Sequence, residues 1–299
     1  MLSSKLYNPV TLGEDYIVLK HIDKRLLLES YKKLFDIDVT RMFNEIETIN
    51  LCKCLKTGYI YFSPFTIIGD EQFYKDLQHY EWYYQSEKWE FEISRKHIVK
   101  GHLLEIGCGN GDFLDSLKNK HLLTFQGTEL NSDAVNICKS KNLNVGHKSL
   151  SDFQSDSFDY IVSFQVLEHI SAINDFFVNS YRVIKRGGKL IISVPNTKSY
   201  VFYPFTDYYL QNGSLLLNMP PHHVGWWNNS SIQKVAKLFG FHLKKIYFEP
   251  LPFYRKELVQ INLQNQLKNI VFSKLFNILP YYLMKKMFNG ETILVVLEK

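Results

Sequence analysis

The residues with the most chemical content lie at 105–111, read Glu-Ile-Gly-Cys-Gly-Asn-Gly. Glycines at alternate positions, Gly107, Gly109 and Gly111, follow an apolar run containing Leu103, Leu104 and Ile106. Glycine tolerates positive φ and lets a ligand approach the backbone with no Cβ in the way. A helix-compatible segment comes next, whose first N–H groups face the turn. This order predicts strand, tight turn and helix around a small polar cofactor; the plain alternative is an ordinary β–α turn. Glu129 follows 18 residues after Gly111, at the end of a second apolar run from Leu122 to Leu130. A carboxylate there can accept O–H bonds from a ribose. Asn131 or Ser132 can cap the helix after it. His222 and His223, in Met-Pro-Pro-His-His-Val-Gly-Trp-Trp, are the candidates for a general base in a crevice loop.

The spacing separates two cofactor classes. A dinucleotide fingerprint needs a glycine three residues after its second one. Asp112 stands there, and the third glycine comes one residue early at Gly111, which disfavours NAD.

The pattern E-x-G-x-G-x-G resembles the first motif of class I S-adenosylmethionine-dependent methyltransferases. Phe158 to Ile170, with its Val-Leu-Glu-His-Ile ending, resembles their fourth-strand motif. Val183 to Asn196 resembles the following "LKPGGxLxxxxPN" element, with Arg186 where proline is usual. The resemblance covers residues 100–250. It implies an α/β fold with a Rossmann-like seven-stranded methyltransferase sheet, parallel apart from an antiparallel last strand pair. It also implies S-adenosylmethionine as cofactor, with contacts from Glu105, Gly107, Cys108, Gly109, Gly111, Glu129, Leu130, Gln165 and Val166. Many relatives hold adenine with an acid after the third strand. Here that place falls near His147 and Lys148, so backbone groups around Ser149 and Leu150 are the expected substitute.

Residues 1–99 do not follow the β–α alternation and read as an α+β cap. Tyr16 to Leu19 suits a strand, Leu26 to Phe35 a helix, 50–64 a hairpin turning at Thr57-Gly58, and 70–99 helices. The segments "CxxxGYxYFxP" and "PPHH…W" resemble those of bacterial methyltransferases of sugar and surface-glycan pathways. Some sugar C-methyltransferases carry a four-cysteine zinc module in the lead segment. Cys52 and Cys54 have no second pair, so no metal is expected, since zinc takes about four ligands. Tyr74 and Tyr83, in an aromatic-dense stretch, are candidates for a lid over the sulfonium cation. Packing of the cap is the competing role for that stretch.

The catalytic domain is expected over 100–299, with insertions at 197–228 and 252–290. Gly187 and Gly188 are expected to end a helix and start a strand, and His169 to begin a helix in a structural role. Ser230 or Ser231 is expected to cap a helix that Gly240 stops. His242 to Leu251 and Thr292 to Glu298 read as the last strands. The stretch 263–287 mixes apolar residues with lysines around Pro280; it suits helices packing on the domain or a partner subunit, or a peripheral membrane contact.

The 299 residues are 45% hydrophobic and 15% aromatic, enough for a substantial core. The net charge of +5 is spread without long basic runs. That is compatible with an anionic acceptor and gives no nucleic-acid signature. Four scattered cysteines, no signal-peptide core and no long apolar run point to a cytoplasmic setting. The expected activity is methyl transfer to a sugar, nucleotide-sugar or surface glycan. Two other readings stand beside it: a small-molecule or lipid-quinone O-methyltransferase, and a non-catalytic cofactor-binding assembly module.

Overall fold

The computed structural model describes residues 7–80, 88–197, 216–250 and 290–299. Tyr83, most of the 197–228 insertion and nearly all of the 252–290 insertion lie outside the described residues.

Seven strands form the main sheet: β4 (Gly101–Ile106), β5 (Leu123–Thr128), β6 (Val145–Gly146), β7 (Phe158–Phe164), β8 (Ile184–Pro195), β10 (His242–Phe248) and β11 (Thr292–Glu298). Their order is β10-β11-β8-β7-β4-β5-β6. Strands β6, β5, β4, β7 and β8 pair in parallel, while β11 runs against both β8 and β10. The central strands are apolar on consecutive positions because both faces are covered. Leu103, Leu104, Ile161, Val162, Leu190, Ile191 and Ile192 are all fully buried. The chain builds outward from β4 through β5 to β6, then crosses to β7 on the other side of β4. Ligand crevices open at such a switch point, beyond the carboxyl ends of the strands. The glycine turn after β4 and the Gln165–His169 turn after β7 both lie there.

The lead segment makes a second, antiparallel sheet from β1 (Tyr16–Ile22), β2 (Ile49–Cys54), β3 (Ile60–Ser63) and β9 (Gly225–Trp226). Strand β9 begins two residues after His223, so the crevice loop is stitched to the lead sheet. A Cβ on Gly225 would stand 1.8 Å from the Tyr59 hydroxyl oxygen. Only glycine fits that crossing. Helix α1 (Lys24–Phe35) is capped by Asp23 and ends at Asp36 in the left-handed region. It contributes Leu27 and Tyr31 to a core shared with Phe73, Leu77, Leu216, Met219 and Trp226. The Tyr31 hydroxyl donates to the carbonyl of Met219 at 3.1 Å and faces that of Leu216 at 3.3 Å. Helix α2 (Glu71–Gln78) starts on an Asp70 cap, and helix α3 (Trp89–His97) packs Phe91 against Phe113 and Phe164.

After the glycine turn comes α4 (Asp112–Asp115), a single turn of helix. Helix α5 (Ser132–Ser140) is capped by the Asn131 side chain. Helix α6 (Ile173–Val183) ends before Gly187, which sits at φ 77° inside β8. The strand therefore begins at Ile184, earlier than the glycine pair suggests. A Cβ on Gly188 would lie 2.9 Å from the carbonyl oxygens of Asp159 and Lys185, which explains that glycine by packing. Helix α7 (Asn229–Leu238) is capped by Asn228 rather than by a serine; Ser231 instead accepts from the Asn228 backbone N–H. Gly240, at φ 89°, follows the helix as expected.

Candidate functional site

Backbone geometry builds the first half of the site. Gly107, Gly109 and Gly111 take φ of 67°, 52° and 77°. The N–H groups of Gly107 and Cys108 both donate to the Thr128 carbonyl, at 2.8 and 3.1 Å, which clamps the turn to the end of β5. A Cβ at Gly107 would come within 2.6 Å of Val166 Cγ2, and one at Gly111 within 2.5 Å of Leu143 Cδ1. Lys141 bonds the Asn110 carbonyl at 2.9 Å and pairs with Asp112 at 2.7 Å, tying the far side of the turn to α5. Because α4 is so short, the cradle is chiefly the turn's own backbone.

Two carboxylates flank this cradle. Glu105 is 3% exposed, and its Oε2 has no hydrogen-bond partner among the described residues. Burial pushes its carboxyl well above the usual range, and the charge of Lys88 acts in the opposite direction. An orphaned carboxylate oxygen beneath a polar turn suits the ammonium of an amino-acid tail. Glu129 accepts from Gly109 N at 2.9 Å, Leu130 N at 2.8 Å and Asn131 N at 2.9 Å. A carboxylate offers about four acceptor positions, so it holds the turn and has room for one ribose hydroxyl. The Leu130 side chain is exposed, whereas Cys108 is buried, with burial driving its thiol upward. The Ser149 N–H is committed to Asp152 at 2.7 Å, and the Leu150 carbonyl accepts from Arg182 at 2.9 Å.

The second half grows from the turn after β7. Gln165 has φ 56°, a left-handed conformation costing about 1–2 kcal/mol for a residue with a Cβ. Its amide nitrogen reaches Glu90 Oε1 and Ser193 Oγ, each at 3.3 Å. Glu90 is buried and its carboxyl is raised by that burial. Val166 packs on Gly107, and His169 N bonds the Val166 carbonyl at 3.0 Å. One short turn thus touches the glycine cradle and presents a histidine. His169 lies in this turn, ahead of α6, and does not begin a helix.

That histidine meets the two from the crevice loop. Ring centroids lie 4.7 Å apart for His169 and His222, 4.8 Å for His169 and His223, and 4.4 Å for His222 and His223. Burial lowers all three. His169 falls to about 4, and the other two fall well below the usual value, pushed further by neighbouring rings. The imidazoles are therefore neutral near pH 7. Glu168 is 1% exposed and is raised by burial to about 8. Its carbonyl accepts from Val224 N at 2.8 Å and Gly225 N at 3.1 Å. The Tyr74 hydroxyl stands 3.3 Å from His169 Nδ1 and feels the charges of both Glu168 and Glu129, so α2 spans the mouth between the two halves. Glu90, Glu168 and His169 as site groups escape a reading by spacing; the Glu-His pair after an apolar strand is the signal that could have found two of them.

A sheet of this order with a glycine cradle at its switch point defines a nucleoside-cofactor enzyme of the Rossmann-like methyltransferase type. A family profile described as Methyltransferase domain matches residues 79–246, more than half of the chain. The chain belongs to that methyltransferase family. A solved S-adenosylmethionine-dependent methyltransferase from Archaeoglobus fulgidus shares the fold at 19% identity and TM-score 0.53, covering 76% of this chain and 100% of that one. A phosphoethanolamine N-methyltransferase of Haemonchus contortus, solved with S-adenosylmethionine, matches at 19% identity and TM-score 0.50, over 75% of this chain and 57% of that one. An uncharacterized protein of Methanocaldococcus jannaschii is 30% identical over 40% of this chain and 59% of its own length. A ubiquinone biosynthesis O-methyltransferase of Coxiella burnetii is 28% identical over 37% of this chain and 51% of its own. The chain thus spans about half the length of the curated relatives it matches.

Proposed function

We propose that this protein transfers the methyl group of S-adenosylmethionine to a hydroxyl oxygen of a sugar, nucleotide-sugar or surface-glycan acceptor. The observation that carries this reading is the turn from Val166 to His169. It packs on Gly107 of the donor cradle at one end and joins the histidine cluster at the other. When bound, S-adenosylmethionine supplies an electrophilic methyl on a sulfonium. The chain's own residues do the rest. Backbone around Gly107–Gly111 with Glu105 holds the amino-acid end, and Glu129 holds the ribose. Val166 and Gln165 border the reacting region, and Tyr74 covers it. Fixing the reactants in line can contribute about 7–11 kcal/mol. The acceptor proton goes to the histidine cluster, with His223 the preferred site and His222 the other; such a base adds about 10²–10⁴-fold.

The acceptor class rests on the lead segment's resemblance to glycan-pathway enzymes and on the mild positive charge of the chain, which suits an anionic nucleotide-sugar. A second reading, a phenolic or quinone-type acceptor, is favoured by the similarity to ubiquinone biosynthesis O-methyltransferases. Mass spectrometry of glycans from a deletion strain separates the two. The sugar reading expects a defined sugar lighter by about 14 Da, one CH₂ unit; an unchanged glycan profile with an under-methylated quinone pool would contradict it. His223→Ala is expected to abolish turnover while S-adenosylhomocysteine still binds. Equal loss of donor affinity would remove His223 from the acceptor side.

A further inference from the structure

We propose that His169, His222 and His223 form the binding site of one divalent cation of the zinc class, with the Glu168 carboxylate beside it. One ligand-capable atom from each ring lies within 4.8 Å of those of the other two. The Nδ1 of every ring is set against an oxygen: the His222 carbonyl at 2.6 Å for His169, the Leu217 carbonyl at 2.9 Å for His222, and Asn218 Oδ1 at 3.2 Å for His223. An imidazole that donates Nδ1–H carries its lone pair at Nε2. This is the orientation in which a backbone or side-chain oxygen presents a histidine to a metal. Three imidazoles, each with a ligand-capable nitrogen in so small a space, are an arrangement that a cation fills.

An independent observation points the same way. Glu168 Oε1 lies 3.9 Å from His169 Nε2, and Glu168 Oε2 is buried with no hydrogen-bond partner among the described residues. An isolated carboxylate in that setting is costly, and a dication next to it offsets the cost. The donor types select the metal. Imidazole nitrogens with one carboxylate suit zinc and its neighbours cobalt and nickel, whereas magnesium and calcium take oxygen sets. Bonds of 2.0–2.1 Å place tetrahedral ligands about 3.3 Å apart, so the rings close by up to about 1.5 Å on loading. His222 and His223, stacked at 20°, splay to do so. Three imidazoles leave a fourth position open, as catalytic sites do.

The cation's role rests on the methyl-transfer reading; its binding does not. An acceptor hydroxyl at the open position becomes more acidic. With His223 ligating the cation, the proton that the metal-free reading gives to the histidine cluster passes to water instead, and the acceptor oxygen forms the new bond to the methyl carbon. The electron pair of the broken carbon–sulfur bond stays on sulfur.

The full chain, stripped with a chelator, is titrated with Co²⁺ and read by visible absorption, with Zn²⁺ as competitor. The expected result is one Co²⁺ per chain with the intense spectrum of a tetrahedral site, displaced by Zn²⁺. His169→Asn and His223→Asn should each weaken binding at least tenfold, and His97→Asn, whose ring faces Tyr247, should not. Circular dichroism reports whether each variant folds, and the wild-type spectrum needs no variant. Absence of binding, a weak octahedral spectrum, or binding unchanged in both histidine variants overturns the proposal. S-adenosylhomocysteine calorimetry on the same samples separates the two claims. Donor binding without metal binding removes only the cation site, and metal binding without donor binding removes only the methyl-transfer reading.

Discussion

Replacing Glu129 with glutamine changes one atom and tests two roles at once. The carboxylate accepts three backbone N–H groups, from Gly109 on one oxygen and from Leu130 and Asn131 on the other. An amide oxygen can serve one of those sides, and its NH₂ then faces an N–H on the other. Each charge-assisted bond contributes about 1.5–3 kcal/mol net. Glu129→Gln should therefore lower stability by about that amount and loosen the clamp on Gly109. With three acceptor positions filled, the carboxylate has room for one ribose hydroxyl. Losing that bond is worth a further ~1.5–3 kcal/mol, or about 10- to 150-fold in S-adenosylhomocysteine Kd. Calorimetry with S-adenosylhomocysteine gives the affinity, and thermal unfolding of the same sample gives the stability. A lowered melting temperature with an unchanged Kd would refute the ribose role and leave Glu129 as a turn clamp alone.

Five further substitutions, two of them controls, have expected outcomes. Gly107→Ala combines a left-handed φ, costing about 1–2 kcal/mol, with a Cβ 2.6 Å from Val166 Cγ2, costing about 1–3. It should destabilise by about 2–5 kcal/mol in denaturant unfolding and weaken donor binding. Gly187→Ala, also at positive φ but in open space, should lose only the smaller part. Glu168 titrates near 8 when folded against about 4.5 when unfolded, so the folded chain holds a proton that the unfolded chain releases. Its contribution is full below the unfolded value and is lost as pH rises through 8, at up to about 1.4 kcal/mol per pH unit. In chelator-treated protein, Glu168→Gln should flatten the decline in stability between pH 6.5 and 8 by about 2 kcal/mol; an unaltered slope would show that Glu168 is ionised throughout. Asn228→Ala removes the cap of α7 and should cost about 1 kcal/mol by thermal unfolding, with Ser230→Ala near neutral.

What the chain reveals by inspection is what local rules govern. The apolar runs at 103–106 and 158–164 and the Thr57-Gly58 turn become β4, β7 and the β2–β3 hairpin within a few residues. Asn131 caps α5 because an Asx side chain two residues ahead of free N–H groups needs no tertiary help. Where residues depend on distant partners, inspection fails. Gly188 is fixed by the Asp159 carbonyl across the sheet, not by a helix end. His169 looks like the opening of a helix until the Pro-Pro-His-His loop, some 53 residues later, brings two more rings against it. Strand β9 is two residues long and pairs with β3, a contact that no periodicity encodes. Cys52 and Cys54 draw attention as metal ligands by type, yet the described cluster with ligand spacing is made of histidines.

Calorimetry of the full chain with S-adenosylhomocysteine, and with NAD in parallel, tests most directly whether the cradle of Gly107–Gly111 and Glu129 is a methyl-donor site. One S-adenosylhomocysteine should bind per chain, weakened in Glu129→Gln, with no heat from NAD. Saturable NAD binding, or no S-adenosylhomocysteine binding by folded protein, would contradict the assignment.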